Sequence, residues 1–218
     1  MGRTDAVRVL RCGSDAVLVE AEDAERAQRL HEALRAAAPD GVVELVPAAR
    51  TVLVRYDPGV TDWQRLGAAV TALPLAEALA EAVGAAGAPA DAGTVLIPVR
   101  YDGPDLAEVA GLTGLTERQV VERHTAARYR VAFCGFAPGF AYLTGLDPVL
   151  RVPRRAEPRT RVPAGAVAVA DEYTGVYPRP SPGGWRLLGS TALTLWDTAA
   201  DPPTRLLPGT AVRFVETD

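Results

Sequence analysis

From Gly135 onward, glycine and proline recur every few residues, and that spacing limits what this stretch can become. Proline lacks the N–H that a helix interior needs and glycine carries a high entropic cost there, so long helices are excluded. Short strands fit between the interruptions, at residues 166–170, 186–188, 192–196 and 211–215. Many short strands joined by tight turns predict a closed or nearly closed β-barrel. Just upstream, residues 94–101 (TVLIPVRY) read as a strand, 105–110 and 116–127 as short helices, and 129–133 as another strand.

The first third has a different pattern. Residues 7–12 and 16–20 form apolar runs around the turn cluster Gly13-Ser14-Asp15, which predicts a hairpin. Residues 23–38 repeat apolar positions at three and four (Ala27, Leu30, Ala33, Leu34, Ala37), the period of a helix that Pro39-Asp40-Gly41 stops. A second strand pair, 42–46 and 51–56, precedes a helix with Thr61 as its cap, running through Leu73. The result is ββαββα, helices on one face of an antiparallel sheet. Between Gly84 and Gly93 the chain reads GAAGAPADAG, without a large apolar group, as expected of a linker. The expected organisation is therefore α+β: a small antiparallel-sheet domain at 1–83, a linker at 84–93 and a barrel domain at 94–218.

Composition removes several kinds of chemistry. All 23 basic residues are arginine, since the sequence has no lysine. A Schiff-base lysine, a biotinyl lysine and the lysine of a phosphate loop are thereby excluded from this chain. Asparagine is also missing, which rules out a Cys-His-Asn triad. A net charge of -4 argues against nucleic acid, because phosphate binding needs a cationic surplus. Cys12 and Cys134 are too few for a disulfide framework or a cysteine zinc site, no metal spacing appears, and a reducing compartment is expected. The opening residues, MGRTDAVRVLRCGSDAVLVE, break their apolar runs with charge, and Ala6 stands where myristoylation wants Ser or Thr. A cytoplasmic, unanchored protein is expected, with no membrane partner.

Three clusters stand out. In Gly135-Phe136-Ala137-Pro138-Gly139-Phe140-Ala141-Tyr142, two Gly-Phe steps flank a proline; the loop is either a plugged barrel end or a lined cleft. In the run VPRRAEPRTRVPAG from Val152, prolines stiffen a loop carrying Arg154, Arg155, Arg159 and Arg161. Such guanidinium groups either receive a carboxylate or phosphate or form a solvated rim. In Ser181-Pro182-Gly183-Gly184-Trp185, turn N–H groups either cradle an oxyanion or merely make a tight turn over the indole. His124 ends a predicted helix and is either a general base or a cation on the helix dipole. Ser181 lacks a G-x-S-x-G elbow, so a serine hydrolase is disfavoured.

These clusters resemble the B-type 5-oxoprolinase subunit group, also called allophanate hydrolase subunit 1, which includes the kinase inhibitor KipI. The resemblance rests on IPVRY from Ile97, RHTAARYRV from Arg123, GFAPGFAYLTGLDP from Gly135, the arginine-proline run and TGVYPRPSPGGWRLLGST from Thr174. It implies that the second domain is a cyclophilin-like β-barrel. It also implies two partners, a KipA-like 5-oxoprolinase subunit (allophanate hydrolase subunit 2) and a LamB/YcsF-like one. Together such proteins open 5-oxoproline to glutamate with ATP, the nucleotide site lying on a partner or at an interface. Transferred to this sequence, the expected catalytic residues are His124, Arg154 and Arg159. The expected substrate-binding residues are Phe136, Pro138, Gly139, Phe140, Tyr142, Ser181, Gly183, Gly184 and Trp185. Two other functions attach to the same resemblance: a KipI-like inhibitor of a sensor kinase, and half of a biotin-dependent carboxyltransferase whose biotin arrives on another chain. The sequence departs from many relatives at Glu172-Tyr173, where Gly-Gln is usual, and at Ala166-Val167-Ala168, where Ser-Val-Gly is.

Overall fold

The computed structural model describes residues 7–73 and 93–218. It divides into two compact units, Met1–Pro89 and Ala90–Asp218. Most of the expected linker lies outside the described residues.

In the first unit, β1 (Arg8–Cys12), β2 (Ala16–Glu20), β3 (Val42–Pro47) and β4 (Thr51–Tyr56) form an antiparallel sheet in the order β1-β2-β4-β3. Helix α1 (Ala24–Ala37) starts where the Asp23 carboxylate accepts the Arg26 N–H at 2.8 Å. Helix α2 (Trp63–Thr71) is capped one residue later than expected. Asp62, not Thr61, accepts the N–H groups of Gln64 and Arg65, both at 2.9 Å, because its carboxylate reaches two donors of the first turn. Leu30 and Leu34 of α1 and Leu66 and Val70 of α2 are buried with Val17, Val19, Val52 and Val54 of the sheet. At about 2 kcal/mol for each large side chain removed from water, this packing is what holds the layer together.

The second unit is built on β5 (Val95–Val99), β6 (Tyr129–Cys134), β7 (Ala141–Thr144), β8 (Arg159–Val162), β9 (Ala166–Ala170), β10 (Tyr173–Val176), β11 (Ser181–Gly183), β12 (Arg186–Ser190) and β13 (Ala211–Glu216). Seven of them form one sheet in the order β12-β9-β10-β7-β6-β13-β5, antiparallel except for the parallel pair β13/β5. The two edges meet just beyond β5. Arg100 N–H donates to Ser190 carbonyl at 2.9 Å, and Ser190 N–H returns to Arg100 carbonyl at 2.8 Å. This single bridge nearly closes the sheet into a barrel, as the glycine-proline pattern predicts. Strands β8 and β11 pair separately as a two-stranded ribbon.

Helix α3 (Leu106–Thr113) and helix α4 (Glu117–Ala126) pack against this sheet, α4 beginning with a capping box between Thr116 and Gln119. Their Val109, Val120 and Val121 share the core with Ile97, Val131, Leu143, Val167, Val169, Leu188 and Phe214.

The expected strand at 192–196 does not form. Leu193 and Leu195 alternate because both pack on the barrel core, yet the segment makes no ladder. Thr191 N–H is already taken by Gly165 carbonyl and Leu193 N–H by the Thr191 hydroxyl. Periodicity of two reported burial here rather than pairing.

Candidate functional site

The three sequence clusters come together on one side of the barrel sheet. Along β7, Ala141 and Leu143 enter the core, so Tyr142 faces the opposite way, and Tyr173 does the same on β10 opposite the core-facing Val176. Phe133 would follow Val131 inward, but the register shifts between them, and this bulge turns its ring onto Tyr142. The two rings stack with centroids 4.3 Å apart.

Onto this pair the Gly-Phe loop and the Ser-Pro-Gly-Gly turn add further aromatics. Phe140 meets Tyr142 at 5.1 Å, Tyr177 at 5.2 Å and Trp185 at 5.3 Å, all edge to face. Trp185 also meets Tyr142 at 5.5 Å. Edge-to-face geometry at these distances is favoured by the ring quadrupoles, so the cluster is a rigid platform. Phe140, Tyr177 and Trp185 are buried, whereas Phe136 is 60% exposed. Phe136 has φ +66, a left-handed conformation costly for a bulky side chain. It touches Phe140 and Tyr177 by its edge and otherwise faces solvent. Pro138 is exposed beside it, and Gly139 is obligatory. With φ +79, a Cβ there would lie 2.7 Å from Trp196 Cβ.

The arginine-proline run and the glycine turn meet through the ribbon, where Gly183 is paired with Arg159 and Ser181 with Val162. Gly183 packs so closely on Tyr177 that a Cβ would lie 2.3 Å from its hydroxyl oxygen. Arg155 N–H donates to Gly184 carbonyl at 2.8 Å, tying the loop to the turn. The Ser181 hydroxyl is engaged with Arg179 carbonyl at 3.4 Å. Arg154 is exposed and lies 3.8 Å from Asp171. Burial raises the Tyr177 phenol above its ordinary value, and the charges of Arg154 and Arg159 both act against that rise.

Beneath the ribbon lies an ion-pair network for which the sequence offered little warning. Asp105, almost fully buried, accepts Arg159 Nη2 at 2.6 Å and Arg155 Nη1 at 3.1 Å on one oxygen, and Leu187 N–H at 2.7 Å on the other. Burial alone would raise its pKa, but the hydrogen bonds from Arg159 and Leu187 outweigh it and hold the carboxyl below its ordinary value. Glu108 accepts Arg186 Nη2 at 3.2 Å and Arg155 Nη1 at 3.4 Å, while Arg186 Nη1 also donates to Pro153 carbonyl. Three buried guanidinium nitrogens of this network have no partner among the described residues: Arg155 Nε, Arg159 Nη1 and Arg186 Nε. An orphaned buried donor costs about 1–3 kcal/mol, more when charged, so three in one network is unusual. Asp105 is the N-cap residue of α3, yet it makes no side-chain cap bond.

His124 is placed apart from these groups, completely buried in the core. Its Nδ1 lies 2.7 Å from the Tyr101 hydroxyl and its Nε2 2.9 Å from the Thr174 hydroxyl. Thr174 donates its one proton to Ala168 carbonyl at 3.0 Å, so it accepts from His124 Nε2–H, and Nδ1 accepts from Tyr101. Burial lowers the ring's pKa to about 3, so at neutral pH it is uncharged with both nitrogens engaged. Thr174 lies between Tyr173 and Gly175, whose faces support the aromatic platform. His124 therefore fixes the strand on which the platform stands.

Among the described residues, no group of three or more His, Cys, Asp or Glu could hold a metal ion, and no helix is long and apolar enough to cross a membrane.

Known proteins share both the sequence and this fold. The B-type 5-oxoprolinase subunit of Escherichia coli O157:H7 is 56% identical over 122 residues, which cover 55% of this chain and 56% of that protein. Its namesake in Bacillus subtilis (strain 168) is 46% identical over 124 residues, 56% of this chain and 52% of that protein. The match thus spans about half the length of these curated relatives. The crystal structure of TTHA0988 is 40% identical with a TM-score of 0.73, over 94% of this chain and 40% of that one. The conserved uncharacterized protein PH0987 from Pyrococcus horikoshii is 37% identical with a TM-score of 0.57, over 97% and 98%. The K. lactis urea amidolyase, 20% identical with a TM-score of 0.67 over 97% of this chain and 15% of that one, shares the fold. Residues 7–206 match the family described as carboxyltransferase domain, subdomain C and D, and the chain belongs to that family.

Proposed function

We propose that this chain is one component of an ATP-dependent 5-oxoprolinase that opens the lactam of 5-oxoproline to L-glutamate. It would act in the cytoplasm with a KipA-like partner and a LamB/YcsF-like partner, and be inactive alone. The 5-oxoprolinase name carried by the relatives supports this reading. The observation that carries it is the pairing of Arg159 with Gly183, which joins the arginine-proline run to the glycine turn whose Trp185 packs on Phe140 and Tyr142.

Each group has a part suited to lactam opening. Phe136, Phe140, Tyr142 and Trp185 wall the flat ring, with Pro138 and Gly139 shaping the loop. Arg154 and Arg159 receive carboxylate or phosphate, and the N–H groups of the Ser181–Gly183 and Gly184 turn face a developing oxyanion. His124, with no free ring nitrogen, is a positioning residue. ATP belongs to the assembled complex, because this chain supplies no phosphate loop and no lysine.

The test is 5-oxoproline-dependent release of ADP and glutamate, first with this chain alone and then with both partners. Turnover only in the full mixture, abolished by Arg159→Ala, is the expected result. A stable complex without turnover would overturn it. The family description favours, as the second reading, half of a biotin-dependent carboxyltransferase, with biotin carried by another chain.

A further inference from the structure

We infer that Arg155, Arg159 and Arg186 form a binding site for a small carboxylate, with Asp105 and Glu108 as its positioning residues. Three guanidinium groups meet two carboxylates in this network, which leaves a surplus of one positive charge. Each cation also keeps a buried nitrogen without a partner among the described residues: Arg155 Nε, Arg159 Nη1 and Arg186 Nε. Arg186 is itself more than nine-tenths buried. Buried charge and buried donors left unpaired are costly in any ion-pair network. This one leaves over a positive charge and the donors that would meet a negative one. A carboxylate restores the balance, with one negative charge and two planar oxygens that suit guanidinium N–H groups. A phosphate dianion would overshoot the charge by one.

The network is held in place independently of any ligand. Asp105 ties Arg155 and Arg159 through a single oxygen and is fixed by Leu187 N–H, while Glu108 ties Arg155 to Arg186. Arg159 is common to this network and to the ribbon facing the aromatic platform. The inference rests on the 5-oxoprolinase reading only for the choice of probe, since 5-oxoproline is a lactam bearing one carboxylate.

The experiment is a titration of the full chain, followed through the arginine Nε–H signals in 1H–15N spectra. The probes are 5-oxoproline, 2-pyrrolidinone (the same lactam without the carboxylate), acetate and inorganic phosphate. Shifts of the Arg155 and Arg186 signals with 5-oxoproline and acetate, but not with 2-pyrrolidinone, are expected. Arg186→Gln should weaken binding roughly ten- to a hundredfold, the loss of one charge-assisted contact. Glu108→Gln, whose amide oxygen still accepts from Arg186, keeps that tie while raising the surplus charge and should tighten binding, a gain that a purely structural network would not show. No shift with either carboxylate, or a stronger response to phosphate than to both, overturns the site. Shifts with acetate and not with 5-oxoproline sustain the site and count against the 5-oxoprolinase reading instead.

Discussion

Acidification should begin to loosen the barrel unit above the range in which carboxylates titrate, and His124 should be the cause. Complete burial sets its native pKa at about 3, against 6.5 for the exposed ring. Between those values the unfolded chain binds a proton that the native state refuses, so stability is full above pH 6.5 and falls as pH drops. Each unit of pKa difference is worth roughly 1.4 kcal/mol, so at about pH 4.5 the loss from this one ring is about 3 kcal/mol. Asp102, Asp105 and Asp147 have lowered pKa values and contribute only further down the scale. His31, lowered chiefly by its own partial burial, gives a slope of the same sign in the first unit. Urea unfolding between about pH 7 and 4.5 isolates the effect in a chain carrying Trp63→Phe and His31→Gln, whose remaining indoles, Trp185 and Trp196, report on the barrel. His124→Phe lowers stability at every pH but should flatten the dependence. If the slope survives that substitution, the assignment of a neutral, buried His124 is wrong.

Thr174→Val keeps the volume and removes both the acceptor of His124 Nε2–H and the donor to Ala168 carbonyl. It should cost about 2–4 kcal/mol, read from the urea midpoint, and a loss below about 1 kcal/mol would contradict the hydrogen-bond relay. Phe136→Gly should stabilise the isolated chain by about 1 kcal/mol through release of its left-handed strain, while lowering turnover of the assembled complex. Unchanged turnover would remove Phe136 from the site. In Gly183→Ala, the added methyl collides with Tyr177 and should part β8 from β11, visible as faster amide exchange at Arg159 and Arg161 and as lost turnover. Exchange as slow as in the parent chain would show that the close approach is tolerated.

The fold was legible wherever local chemistry and tertiary packing agree. The ββαββα order follows from alternating periods, and strand β9 from an unbroken run of small apolar residues buried along its whole length. The Gly-Phe loop stood out because a turn with three aromatics is chemically unusual, and its rings do gather with Trp185. Other features depend on non-local events. Phe133 joins the platform only because a bulge reverses its direction, and nothing in YRVAFC announces a bulge. Asp105 is in sequence only the first residue of a short helix, while its partners come from residues 155, 159 and 187. The best available signal was the density of arginines downstream, which require carboxylates from somewhere. His124 sits at a helix end that sequence associates with solvent, but the barrel folds over it.

The parallel pair β5/β13 has a consequence for how the barrel comes into being. Among the described residues, strand β5 is its first strand and β13 its last, and within the sheet β5 has no other strand neighbour. On the ribosome, residues 95–99 must therefore wait, unpaired, until residues 211–216 have emerged. Contacts so distant along the chain make closure a late and slow event. Until then Leu96 and Ile97 belong to an open edge, so a nascent chain stalled before β13 would present an adhesive strand to its neighbours.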